Sequence, residues 1–151
     1  MRYIILSGAI VILCLYTGGC LTHEGEEPVS SSGVSAENTA GIEWVHSISE
    51  GIFLAEEHNK PVMIDFYADW CTWCRRMNSE TYSNPEVIEL TRNFINVKVD
   101  VGRERDKAGS YNVQGLPTVV FLNSEGKVIE RVVGYKDSSA FLEILHGVLS
   151  E

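Results

Sequence analysis

The stretch "DFYADWCTWCRRM", Asp65 to Met77, sets two cysteines three residues apart, between an apolar run and two arginines. Upstream, "PVMIDFYA" (Pro61 to Ala68) is short and almost wholly apolar, with one acid in it. That is the pattern of a strand covered on both faces. From Cys71 to about Tyr82, polar and apolar residues alternate at helical period. The pair therefore stands where a central strand hands over to a helix.

A close cysteine pair can be half a zinc site, a haem anchor, a structural bridge or a redox couple. Zinc needs four ligands. The other cysteines, Cys14 and Cys20, lie near the N-terminus, and His46, His58 and His146 are scattered, so no metal is expected. Covalent haem attachment needs a histidine directly after the second cysteine, where Arg75 stands. A structural bridge this short restrains the unfolded chain little compared with a long loop. A redox couple needs the closeness, because the second thiol must reach back to resolve a mixed disulfide. It also gains from a helix start, whose free N–H groups and dipole favour a thiolate. The spacing and placement argue for the redox couple, with the structural bridge as the serious alternative.

The rest of the chain fits one domain with an N-terminal extension. Of 151 residues, 44% are hydrophobic and 22% charged, an ordinary globular mix. A net charge of -9 argues against nucleic-acid binding, which needs a basic face. From Tyr3 to Thr22 there is no charge, Arg2 precedes the run, and Glu24, Glu26 and Glu27 follow. This reads as a secretory leader over 1–20, or as an uncleaved membrane anchor. Either puts the remainder outside the cytoplasm, attached to the membrane through the N-terminus. "TGGC" resembles the lipobox of prokaryotic lipoproteins, which makes Cys20 a candidate for lipidation, although Thr17 departs from the usual Leu, Val or Ile. Residues 21–40, rich in Ser, Glu and Gly, read as a flexible tether.

The domain is expected over 41–151. "IEWVHSISEGIFLAEEHNK" spaces apolar residues as a helix, loosened near Gly51. "SNPEVIELTRNF" predicts a helix with Asn84 as N-cap and Pro85 in its first turn. "INVKVDV" predicts a strand, and "GRERDKAGSYNV" a short helix. "LPTVVFLNSEGKVIERVVG" predicts a hairpin turning at Asn123 to Gly126, followed by a closing helix capped at Asp137 or Ser138. The order implies a three-layer α/β sandwich around a mixed sheet.

"DFYADWCTWCRRM" together with "VQGLPTVVFLNSEGKVIERVVGY" resembles the thioredoxin family, across nearly all of residues 42–151. Within the family, "YADWCTWCRRM" followed by "SNPEV" is more similar to the C-terminal periplasmic domain of the thiol:disulfide interchange protein DsbD and to small exported thioredoxin-like lipoproteins. Ordinary thioredoxins carry Gly-Pro between the cysteines and a proline in the following helix; here Thr72-Trp73 and Ser79 stand there.

The positions assign Cys71, at an exposed helix start, as nucleophile and Cys74 as buried resolving thiol, forming a redox-active Cys71–Cys74 disulfide. Asp65 is either a buried acid shuttling protons for Cys74 or a hydrogen-bonded structural carboxylate. The resemblance implies a cis Pro117, with the Leu116 backbone pairing to substrate. Trp70, Thr72 and Trp73 are expected to border that substrate, with packing as the alternative for Trp70. Arg75 and Arg76 read as a solvated helix face, Arg75 near enough to favour a thiolate.

The expected function is an exported, membrane-tethered protein-disulfide reductase, monomeric and without cofactor. The DsbD-like resemblance implies a membrane thiol carrier of the DsbD/CcdA type as electron donor. It also implies exported protein thiols and disulfides as substrates, apocytochrome c among them. The alternatives are a disulfide oxidase or isomerase, and a non-catalytic binding or holdase module.

Overall fold

The computed structural model of the protein describes residues 41–151. The leader, the tether and Cys20 lie outside the described residues. Four strands form one sheet: β1 (Val62–Tyr67), β2 (Ile95–Asp100), β3 (Thr118–Leu122) and β4 (Val128–Val133). Their order is β2-β1-β3-β4, with β1 parallel to β2 and antiparallel to β3, and β3 antiparallel to β4. Among the described residues five α-helices flank the sheet: α1 (Ile48–His58), α2 (Thr72–Arg76), α3 (Pro85–Thr91), α4 (Arg105–Ser110) and α5 (Ser138–Leu149).

The apolar run of β1 follows from this order, because β1 is a central strand with a core on each face. Val62, Ile64 and Phe66 join Val97 and Val99 of β2 and Ala55 of α1 on one side. Met63 joins Phe121 of β3, Val87 of α3 and Phe141 and Leu145 of α5 on the other. Residues of one strand alternate between faces, so Asp65 lies on the second side with Met63. The three-layer expectation holds.

Two helix starts and one hairpin turn form as the sequence predicts. The Asn84 side chain accepts from the Glu86 and Val87 amides at 2.9 and 3.3 Å, with Pro85 in the first turn of α3. Asp137, rather than Ser138, caps α5 by accepting from the Ala140 amide at 2.9 Å. In the hairpin, Asn123 accepts from the Glu125 and Lys127 amides, and Gly126 takes a φ of 80°, which glycine adopts without steric cost.

Two elements differ from expectation. The first helix does not begin at Ile42: it starts at Ile48, and Val45 before it forms a parallel bridge to Val97 through bonds to Asn96 and Lys98. Pairing with the open edge of β2 satisfies backbone groups that a longer helix would have satisfied internally. Gly51 does not loosen the helix either. It sits where α1 crosses β2, and a Cβ there would stand 2.4 Å from Val97 Cγ2.

The helix after the cysteines is not uniform. Beyond α2 the chain widens into a π turn over Met77–Thr81, closed by the Tyr82 amide donating to the Met77 carbonyl five residues back at 2.9 Å. Met77, Thr81 and Tyr82 are all buried. The Thr81 hydroxyl donates to the Lys136 carbonyl at 2.6 Å and Ser138 to the Glu80 carbonyl at 3.0 Å, tying this turn to the start of α5.

Candidate active site

The C-terminal end of β1 leads through Ala68, Asp69 and Trp70 to Cys71, the N-cap of α2. Cys71 and Cys74 are joined by a disulfide. The Cys74 amide donates to Cys71 Sγ at 3.1 Å, so a helix-start N–H already points at the sulfur that would carry charge after reduction. Arg75 does not aim at that sulfur. Its guanidinium donates to the Asp69 carbonyl at 2.8 Å and to Thr72 Oγ1 at 3.2 Å, bracing the loop on both sides of the cysteine.

Cys71 is less open than a helix start suggests. It is 6% exposed and Cys74 3%, both packed against Ala68, with Tyr67, Val101 and Leu116 around them. The helix start is covered because β3 brings the Leu116 loop over it. What separates the two sulfurs is the groove of about 540 Å³ that borders Cys71 and not Cys74. Trp70, Thr72 and Trp73 form one side of this groove and Gln114, Gly115 and Leu116 the other. Trp70 is 73% exposed and Trp73 53%, so neither is core packing.

The Leu116–Pro117 bond is cis. The Thr118 hydroxyl donates to the Gly115 carbonyl at 2.8 Å, and the Gly134 amide to the Pro117 carbonyl at 2.8 Å, which fixes the loop against β4. Among the described residues, none makes a hydrogen bond to the Leu116 backbone. A slightly larger cavity, about 580 Å³, lies between Trp44, His58, Arg92 and Asn96; it borders neither cysteine and lacks a redox group.

Asp65 is buried and pairs in register with Lys98 of β2. Lys98 Nζ lies 3.7 Å from Asp65 Oδ2 and donates to Asn78 Oδ1 at 2.7 Å. The rings of Trp44, Tyr67 and Tyr82 surround that ammonium at 4.7, 5.1 and 5.5 Å. Burial pushes the Asp65 carboxyl up to about 6, against the opposing pull of Lys98. Burial likewise lowers Lys98, while Asp65 raises it. Asp65 Oδ1 and the Tyr82 hydroxyl are buried without a hydrogen-bond partner. The ionic partner of Asp65 among the described residues is thus Lys98, itself set among aromatic rings.

Sequence reasoning missed Lys98, Tyr82 and Trp44. Only the alternation of "INVKVDV" hinted that Lys98 leaves the apolar face of its strand, and nothing in it fixed the register that sets Lys98 beside Asp65. His46, His58 and His146 are exposed, and among the described residues no group of three or more metal-ligating side chains forms.

Comparison with known proteins bears on what this arrangement is. The sequence matches the family of thioredoxin-like domains over residues 49–149. It is similar to the thiol:disulfide interchange protein DsbD of Vibrio vulnificus, with 32% identity over 108 residues, 68% of this chain and 18% of that protein. The DsbD of Cronobacter sakazakii is 39% identical over 102 residues, 64% of this chain and 18% of its own length. The chain therefore spans less than a fifth of these curated relatives. A thioredoxin from Thermus thermophilus superposes with a TM-score of 0.66 at 29% identity, covering 73% of this chain and 88% of that one. A DsbH oxidoreductase gives the same TM-score at 21% identity, with 83% and 95% covered, a likeness of fold.

Proposed function

Because the chain belongs to the thioredoxin-like family, we propose that it is an exported, membrane-tethered protein-disulfide reductase that cycles the Cys71–Cys74 pair. The observation that carries this reading is the Cys71–Cys74 disulfide at the start of α2, with Cys71 on a groove and a helix amide on its sulfur.

In the reduced protein the Cys71 thiolate attacks one sulfur of a substrate disulfide. A mixed disulfide forms, and the other substrate sulfur leaves as a thiolate that takes up a proton. Cys74 then loses its proton and attacks Cys71 Sγ, releasing the second substrate thiol and closing the Cys71–Cys74 bond. Two electrons have passed to the substrate, and a dithiol donor must return two. Asp65 is the proposed acceptor of the Cys74 proton, since burial holds its carboxyl near neutrality. The Leu116 backbone is the proposed partner of an extended substrate segment beside Pro117, a reading supported by its lack of internal bonds among the described residues. Trp70, Thr72 and Trp73 are the proposed opposite side of that segment's groove.

The donor is a membrane dithiol carrier of the DsbD/CcdA type, and the substrates are exported proteins, with apocytochrome c as one candidate. The DsbD relatives support this assignment. We assign 1–20 to a leader ending in a lipidated Cys20 or to an uncleaved anchor, 21–40 to a tether and 41–151 to a monomeric catalytic domain. Among the described residues no helix is long and apolar enough to cross a membrane, so attachment rests on the N-terminal segment.

The test is insulin reduction with dithiothreitol, followed by the equilibrium potential of the Cys71–Cys74 couple. Turnover with a potential near that of thioredoxin, about -270 mV, is the expected result. A potential near about -120 mV replaces the reductase with an oxidase. Insulin reduced no faster than by dithiothreitol alone replaces it with a binding module.

A further inference from the structure

Trp70 and Trp73 border the same groove but are held very differently. Among the described residues Trp70 has no aromatic or cationic partner, whereas Trp73 is backed by a cluster that the redox chemistry does not use. The Tyr135 ring lies 5.8 Å from the Trp73 ring at a tilt of 38°. The Arg76 guanidinium sits over both rings, 5.5 Å from the centroid of Trp73 and 4.8 Å from that of Tyr135. Glu80 fastens the far ends, its Oε2 accepting from Arg76 Nε at 2.9 Å and from the Tyr135 hydroxyl at 2.7 Å. That hydroxyl bond, and then the Arg76 guanidinium, hold the Glu80 carboxyl below the usual carboxylate range.

The cluster draws on three parts of the chain: Trp73 and Arg76 from α2, Glu80 from the π turn, and Tyr135 from the segment before α5. That segment is itself tied to the π turn through Thr81 and Ser138. The tie fixes the distance between the rings, and so the orientation of Trp73. Trp73 nonetheless remains half-exposed and lines the groove beside Cys71.

We propose that Tyr135, Arg76 and Glu80 are positioning residues that hold Trp73 as a fixed aromatic wall, and that this wall selects substrates with a large apolar side chain next to the cysteine under attack. A free tryptophan loses rotamer freedom when a partner covers it; a braced one has lost it already, so covering it with apolar surface converts more fully into affinity. A small polar side chain covers little of the ring and gains nothing from the bracing. The selection rests on the disulfide-exchange reading given above.

The experiment compares two disulfide peptides of equal length and charge, one with leucine and one with serine beside the cysteine, with dithiothreitol as the electron source. The wild-type protein should show the lower KM for the leucine peptide. Tyr135→Leu and Glu80→Gln should each raise that KM about three- to tenfold, the size expected from freeing one side chain, with kcat and the serine peptide unaffected. Tyr135→Phe keeps the ring and should retain most of the preference. In a Trp73→Ala background, Tyr135→Leu should add nothing, because both act through the same ring. An equal change for both peptides, a fall in kcat alone, or full additivity with Trp73→Ala overturns the proposal. A wild-type protein that reduces both peptides without preference overturns the selection alone, and one that reduces neither overturns the exchange reading as well.

Discussion

Asp65 shows how one residue can be visible in the sequence while its partner is not. A lone acid in "PVMIDFYA" announces a carboxyl in an apolar strand, but the sequence is silent on what neutralises it. The structure answers with Lys98, in register across β1 and β2, its ammonium among three rings and on Asn78. The sign of the pH effect follows. A carboxyl raised from the usual 3.8 to about 6 favours folding fully below pH 3.8, and that contribution is lost as pH rises through 6. The size is about 3 kcal/mol. Asp65→Asn removes the loss, and Lys98 keeps Asn78 and its ring faces as partners. Denaturant midpoints should therefore show the variant gaining on the wild type from pH 4 to pH 8, by about 2–3 kcal/mol. Reduction of substrate disulfides near neutral pH should slow by about tenfold to a hundredfold, at or below the low end of what a general base contributes. Parallel stability curves with undiminished turnover would make Asp65 a structural acid.

Among the elements, the strands and caps were legible and the approaches between elements were not. The β1 run, the Asn84 and Asp137 caps and the Asn123 hairpin are local signals, carried by residues within a few positions of one another. Gly51 is the counter-example. In the sequence it reads as a weak point in a helix, while in the structure it is the place where α1 touches Val97. Ala is the better helix former by roughly 1 kcal/mol, yet a Cβ 2.4 Å from Val97 Cγ2 overpacks the crossing. Overpacking typically costs about 1–3 kcal/mol. Gly51→Ala should thus destabilise the protein in chemical denaturation, and Val97→Ala in the same chain should cost less than it does alone. A neutral or stabilising Gly51→Ala would mean that α1 shifts freely on the sheet. The π turn was equally hidden. Ser79 showed only that proline was absent, and the widening depends on which residues the sheet must receive. Val45 went astray for the same reason: its helical spacing was real, but an open strand edge lies beside it.

For the molecule as a whole, the two-sided core is the testable property. Both faces of the sheet are filled by residues between Ile42 and Val148, so a fragment beginning at Gly41 should fold with the thermal midpoint of the full chain. It should also reduce a soluble disulfide at the same rate. Only the chain that keeps Cys20 should partition into membranes, and mass spectrometry of the extracted protein should find lipid there. An intact N-terminus at Met1 favours the anchor instead, and a fragment that melts early would move the domain boundary. The groove beside Cys71 has a separate consequence, for the time before folding is complete. Its walls come from Trp70–Trp73, from Val101 and Ala108, and from Gly115 and Leu116. These stretches are far apart in the sequence and are brought together by the pairing of β1 with β2 on one side and β3 on the other. Pairings between distant segments are the slow part of folding. On the disulfide-exchange reading proposed above, a chain whose sheet is not yet closed would hold the two thiols without the groove. The choice of partner proposed above would then be a property of the finished molecule, absent until the sheet has closed.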